Sequence, residues 1–131
     1  MNVGLFDSFS LEIYPFTIYL SVGQSDNEFL ESIIENELLI SEDYMEHSYG
    51  KLQMLSSFDI IFRLREYPES FEDESIVSHE SLHAVFRVME TIGIEHNQGS
   101  EEAFTYLLGY IVRKVKEIYS EKLLELNKEI D

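Results

Sequence analysis

The stretch Glu74–Gly93, ESIVSHESLHAVFRVMETIG, decides how the chain is read. Ile76, Leu82, Val85, Met89 and Ile92 recur at helical spacing, and Gly93 offers a C-cap, so a helix is predicted over about 74–92. Inside it lies His79-Glu80-Ser81-Leu82-His83, an HExxH pattern that holds two of the chain's four histidines. Positions i and i+4 of a helix share a face, so both imidazoles project toward one point. A neutral ring nitrogen from each suits Zn²⁺. Glu80 follows the first imidazole and can accept a proton from a water whose pKa zinc brings to about 7.

A catalytic zinc needs a third protein ligand and one open position. The extension HExxHxxGxxH is closed, because Phe86 stands at the Gly position and Met89 at the last His position. A second route places a carboxylate on the next helix. Glu101 and Glu102 follow the Gly93–Gly99 turn and open a predicted helix over about 100–127, with Ser100 as its N-cap. Glu102 is preferred, since it shares a helical face with Tyr106, Gly109 and Arg113, and Gly109 would let the two helices approach closely. Glu101 then reads as a solvated partner of the helix dipole. Tyr106 reads either as a core aromatic or as a donor to a tetrahedral oxyanion. His96, between the helices, is an exposed loop residue or a donor to substrate; His47 has no assignable partner.

Outward from this helix, two strands are predicted. In Leu11–Val22, Phe16, Ile18, Leu20 and Val22 alternate with Thr17, Tyr19 and Ser21, with Pro15 marking a bend near the start. In Ser57–Arg65, Phe58, Ile60, Phe62 and Leu64 point one way, and Asp59, Ile61, Arg63 and Arg65 the other. Between them, Gly23–Asp26 reads as a turn and N-cap for a helix from Asn27 to about Leu39, with Phe29, Ile33, Ile34 and Leu38 as its apolar stripe. Residues 41–57 stay unassigned, with Tyr49–Gly50 as a turn. Glu66–Glu74 reads as an acidic, solvated loop broken by Pro68. Beyond Lys114, Val115, Ile118, Leu123 and Leu126 would cover the core or pair with another subunit. The fold expected is α+β: a single domain, 1–131, with a small antiparallel or mixed sheet packed on the HExxH helix and a long antiparallel helix after it.

Composition narrows the functional classes. The chain has 131 residues, 44% hydrophobic and 13% aromatic, enough to bury a core. Nine Lys and Arg against 26 Asp and Glu give a net charge of -17, a field that repels nucleic acid and anionic membrane. Residues 1–62 carry Lys51 alone among eleven acids, whereas Arg113, Lys114, Lys116, Lys122 and Lys128 cluster at the end; both read as solvated faces. With no cysteine there are no disulfides, thiolate metal sites or Cys nucleophiles. The start, Met1–Asp7, lacks a basic region and apolar run, so a cytoplasmic protein is expected. Gly-rich phosphate loops, a G-x-S-x-G elbow and EF-hand patterns are missing.

Three blocks, Ser78–Ala84, Glu90–Gly93 and Glu101–Ile111, resemble small phage and prophage proteins with H-E-x-x-H-A, x-x-I-G and E-x-F-x-Y-L-x-G-x-x segments. Those look like minimal zincins with a gluzincin-style third ligand. The resemblance spans about residues 55–115, with a weaker echo in Phe16–Ile34. It implies a zincin-like domain, Zn²⁺ held by His79, His83 and Glu102, Glu80 as base, and a zinc-dependent hydrolase, foremost a metallopeptidase acting on a peptide or protein. It also implies that the strand before the helix, Phe58–Arg65, is an edge above the cleft to which substrate adds antiparallel. Relative to thermolysin-like proteases, a second C-terminal domain is expected to be lacking. Two other classes compete: a catalytically silent zincin-fold binding or regulatory module, and an acidic decoy that mimics nucleic acid. Substrate, metal identity and oligomeric state stay open.

Overall fold

The computed structural model describes residues 3–40, 48–55 and 58–130. His47 and Ser57 lie outside them. The described chain is α+β, with a mixed four-stranded sheet and three helices. Its order is β1 (Leu5–Ser10), β2 (Thr17–Val22), α1 (Asp26–Glu35), β3 (Gly50–Met54), β4 (Asp59–Leu64), α2 (Phe71–Ile92) and α3 (Glu101–Ile130).

The sheet runs β1-β2-β4-β3. β1 and β2 form an antiparallel hairpin, from Leu5 opposite Val22 to Ser10 opposite Thr17. Residues 11–16 turn the chain, with the Leu11 N–H donating to the Phe16 carbonyl at 3.0 Å and Glu12 at φ 60°. The expected strand over 11–22 is therefore its second half plus this turn, and β1 is an addition. β2 and β4 are parallel, with Ile18 beside Ile60, and α1 provides the start of the crossover. β3 pairs antiparallel with β4, with Gly50 opposite Leu64 and Met54 opposite Ile60. Gly50 thus begins a strand and is not the middle of a turn. The Phe58–Arg65 segment was expected as an edge. Instead β4 is interior, flanked by β2 and β3, and the edge strands are β1 and β3. The reason is pairing: β4 bonds to β2 along one edge and to β3 along the other, and with Ile60, Ile61, Phe62 and Leu64 buried its faces are covered too.

On one face, Ile18, Leu20, Val22, Ile60, Phe62 and Leu64 meet α2 and α3 through Val77, Ala84, Val85, Val88, Phe104, Leu107, Ile111 and Val115. On the other, Ile61 packs with Phe29, Ile33 and Leu38 of the α1 region. α1 starts at a capping box: the Glu28 N–H donates to the Ser25 hydroxyl, and the Ser25 N–H to the Glu28 carboxylate. α2 begins three residues before the expected Glu74. Ser70 caps it by accepting from the Asp73 N–H at 3.1 Å, so Glu72–Glu74 form a helical first turn and not a loop. Gly93 ends α2 in the left-handed region at φ 81°, as expected. The expected inward Leu82 is 40% exposed; the inward stripe is Val77, Ser81, Ala84, Val85 and Val88.

α3 packs back along α2. Phe104 lies 5.8 Å from Phe86 near the C-terminal end of α2, and Tyr119 feels the charge of Glu74 at its N-terminal end. Val115, Tyr119 and Leu126 are buried, so the far half of α3 covers the core. Two of its bases pair within the helix, Arg113 with Glu117 at 3.5 Å and Lys122 with Glu125 at 4.0 Å. Among the described residues, no helix is long and apolar enough to cross a membrane.

Under α1 one buried cation organises the second face. Arg63 is 1% exposed, stacks over the Phe29 ring at 4.3 Å, and donates to the Gln24 carbonyl and the Asp26 carboxylate, both at 3.1 Å. Hydrogen bonds from Arg65 and then Arg63 hold the Asp26 carboxyl below its ordinary value. A depressed carboxylate stabilises the fold above its unfolded pKa of about 3.9, and that stability is lost as pH falls through the folded value. Asp26 is 42% exposed, so water screens part of the pairing. Asp26→Asn is expected to cost about 1–3 kcal/mol near pH 7. The deficit should begin to shrink as pH falls below the unfolded value of about 3.9 and close only once pH has passed below the depressed folded value, where folded wild-type Asp26 also becomes neutral; urea unfolding at a series of pH values from 7 downward measures the trend.

Candidate metal centre

Packing against the sheet fixes the rotation of α2, and this places the HExxH side chains. With Val77, Ser81, Ala84 and Val88 turned inward, His79 and His83 face outward. Their Nε2 atoms are 3.2 Å apart and their rings cross at 79°. Two nitrogens at 2.0–2.1 Å from one tetrahedral zinc stand about 3.3–3.4 Å apart. The pair therefore has the spacing of two corners of a zinc tetrahedron. Glu80 is turned toward β3 and is 8% exposed, with Oε1 3.9 Å from His79 Nε2. His79, Glu80 and His83 offer ligand atoms within 4.8 Å of one another, a group that could hold a metal ion. Two exposed imidazoles beside one nearly buried carboxylate divide naturally into donors and a proton acceptor.

β3 forms the wall beside Glu80. A Cβ built on Gly50 would sit 2.7 Å from Ile76 Cγ2 and 3.1 Å from Glu80 Cγ, so the absence of a side chain there lets the strand lie against the helix. At its other end, Met54 Sδ accepts from the Thr91 hydroxyl at 3.4 Å. β3 thus runs alongside α2 from Glu80 to Thr91. Behind its start, Tyr49 donates to the Glu66 carbonyl, and burial followed by the Asp73 and Glu66 carboxylates pushes its phenol upward.

The structure brings together His79, Glu80 and His83, but not Glu102. Among the described residues the ligand-atom cluster contains neither Glu101 nor Glu102, and both are exposed. The physical reason is the register of the helix pair. With Phe104 level with Phe86, the residues of α3 level with His83 and His79 fall near Leu107 and Ile111, which are buried apolar side chains. Glu102 stands about 200° around the helix from Phe104, on the outer side. Tyr106 shares that side and is 73% exposed, away from the imidazoles' neighbours. A Cβ on Gly109 would meet nothing within 4 Å, so this glycine faces open space and does not bring the helices together.

His96 is placed more usefully than its loop position suggested. Its ring meets Phe104 edge-on at 4.8 Å and Phe86 at 6.1 Å, and it lines one cavity with His83. Ser100 does not spend its hydroxyl capping α3: it accepts from the Asn97 N–H and donates to the Glu95 carbonyl. The Asn97 carboxamide oxygen accepts from the Gly99 and Ser100 N–H groups at 2.8 and 3.1 Å. These bonds brace the loop that carries His96.

Two contributors escaped the sequence reading. The alternation Lys51-Leu52-Gln53-Met54 is a weak period-two signal for β3, too short to stand out beside the Tyr49–Gly50 pair. The aromatic Phe86–Phe104 contact spans two helices and has no local signal. Comparison with family models, curated proteins and solved structures finds no match to this chain.

The close approach at Gly50 yields a prediction. Gly50→Ala should destabilise the protein by about 1–3 kcal/mol through overpacking and displace Glu80. The imidazole pair should be untouched, so urea denaturation should shift while zinc affinity stays within about twofold; an unaltered midpoint would contradict the contact.

Proposed function

We propose that the chain is a zinc-dependent hydrolase of peptides with a zincin-like domain. The observation that carries this reading is the 3.2 Å separation of the His79 and His83 Nε2 atoms beside the nearly buried Glu80. His79 and His83 would supply two of the metal's protein ligands through those nitrogens, and apart from Glu80 the described residues place no third His, Asp or Glu beside them. A bound zinc supplies Lewis acidity, polarising a carbonyl and lowering the pKa of a water toward neutrality.

The chain's own groups account for the rest. Glu80, at 8% exposure, is the group that accepts the proton of the attacking water at a carboxylate oxygen and returns it to the leaving amine. The sequence resemblance gives the same residue the same role. Peptide is favoured as substrate because β3 ends the sheet and lies against α2 at Glu80, an edge to which an extended chain can add. Tyr106 is left without a part here, since it is 73% exposed on the outer side of α3.

Metal analysis and cleavage test this directly. Wild type should take up one zinc per chain. His79→Ala and His83→Ala should each weaken uptake by at least a hundredfold, and Glu102→Ala should leave it within about threefold. Glu80→Gln should retain zinc yet lower hydrolysis of a casein-derived peptide mixture by about 10²–10⁴-fold. Zinc retention with no cleavage in wild type would instead favour a silent binding module. Failure to bind zinc, with salt-sensitive capture of basic proteins, would favour the acidic decoy.

A further inference from the structure

A cavity of about 750 Å³ lies immediately beside His83. Its walls are His83, Phe86, Met89, Ile94, His96 and Phe104. Three of these rings form a corner. Phe86 and Phe104 are 5.8 Å apart at 55°, and His96 stands edge-on to both, at 73° to Phe104 and 85° to Phe86. Rings at such separations and tilts present both edges and faces, the arrangement a further aromatic ring joins most favourably. The volume falls within the range of ligand pockets, which are apolar with a few polar groups at the rim.

The rim supplies those groups. Arg87 is ion-paired with Glu90 at 3.0 Å, and Glu95 adds a further carboxylate. Counting Arg87, Glu90 and Glu95, the mouth carries one net negative charge, on a chain of net charge -17. An acidic side chain is repelled there and a basic one attracted. The floor is held in advance, because the His96 loop is tied by Asn97 and Ser100, which reduces the ordering cost of binding.

We propose that this cavity is a specificity pocket that receives a bulky aromatic side chain of the peptide, with neutral or basic flanking residues, next to the bond over His79 and His83. Phe86 and His96 are its specificity-determining residues. The inference rests on the hydrolase reading for its purpose, but not for its binding chemistry.

The chain contains no tryptophan, so a peptide tryptophan is an optical probe free of background. Acetyl-Lys-Trp-Gly-amide would be titrated against Glu80→Gln protein in EDTA, where neither metal nor cleavage contributes. A saturable blue shift of the tryptophan emission is expected. Phe86→Ala and His96→Ala, at exposed positions, should each weaken it by about tenfold. Ile34→Ala, on α1 and 74% exposed, should leave it unchanged. Replacing Lys by Glu in the peptide should weaken binding by about threefold or more. The proposal is overturned by the lack of a blue shift, or by equal binding to Phe86→Ala, His96→Ala and the parent. Should the shift appear while wild type neither holds zinc nor cleaves peptide, the pocket stands and the hydrolase reading falls. Should wild type cleave peptides without aromatic preference and show no shift, the reverse holds.

Discussion

The rotation of α2 about its own axis is the constraint on which the rest of this structure depends. Val77, Ala84, Val85 and Val88 are fully buried against the sheet, and no other angle buries all four. A buried apolar side chain of this size contributes about 1.5–3 kcal/mol relative to exposure, so the stripe holds the helix against any competing rotation. Once the stripe is fixed, a spacing of four residues sends His79 and His83 to one outer line, and Glu80 falls between that line and β3. The chemistry of the candidate centre is therefore set by side chains that take no part in it.

The same stripe explains why α3 contributes walls and no ligand. A second helix can pack on α2 only by burying its own apolar line, here Phe104, Leu107, Ile111 and Val115. The braced turn between the helices puts Phe104 beside Phe86, one turn past His83 along α2. A carboxylate two residues before Phe104 is then carried to the outside and lies too far along the pair. Reaching the imidazoles would require burying Glu102 at the cost of exposing Phe104, which favours the arrangement seen. The face shared by Glu102, Tyr106, Gly109 and Arg113 is real as a helical line, but it is a solvent line.

Local periodicity made much of this legible. The alternation of Ile60, Ile61, Phe62 and Arg63 correctly divided the two faces of β4, down to Ile61 meeting the α1 side and Arg63 lying over Phe29. Caps marked α1 and the end of α2, because Ser25 and Gly93 act within their own turns. The convergence of His79 and His83 was legible for the same reason: i and i+4 is a local relation. What escaped was non-local. β1 carries Asp7, Ser8 and Ser10 on its exposed positions and only Leu5 and Phe9 buried, so its pattern is weak until β2 pairs with it. The edge position of β3, and hence the interior position of β4, follows from strand order, which periodicity does not encode. Glu102 was assigned by helical face alone, and a face says nothing about which way it turns until the helix has a neighbour.

The two faces of the sheet divide stability from chemistry. On the α1 side, a buried guanidinium stacks over Phe29 and donates to the Gln24 carbonyl and the Asp26 carboxylate. On the α2 side the outward residues are left unburied: two imidazoles, Phe86 at 38% and Phe71 at 92% exposure. Burying an aromatic ring is among the largest gains open to a side chain, so an incompletely covered ring beside a braced cavity marks a place where the fold leaves burial to something else. Phe71 is the first residue of α2. Phe86 has His83 on one side and the His96 loop on the other, so this exposed ring lies where the candidate metal centre meets the braced loop.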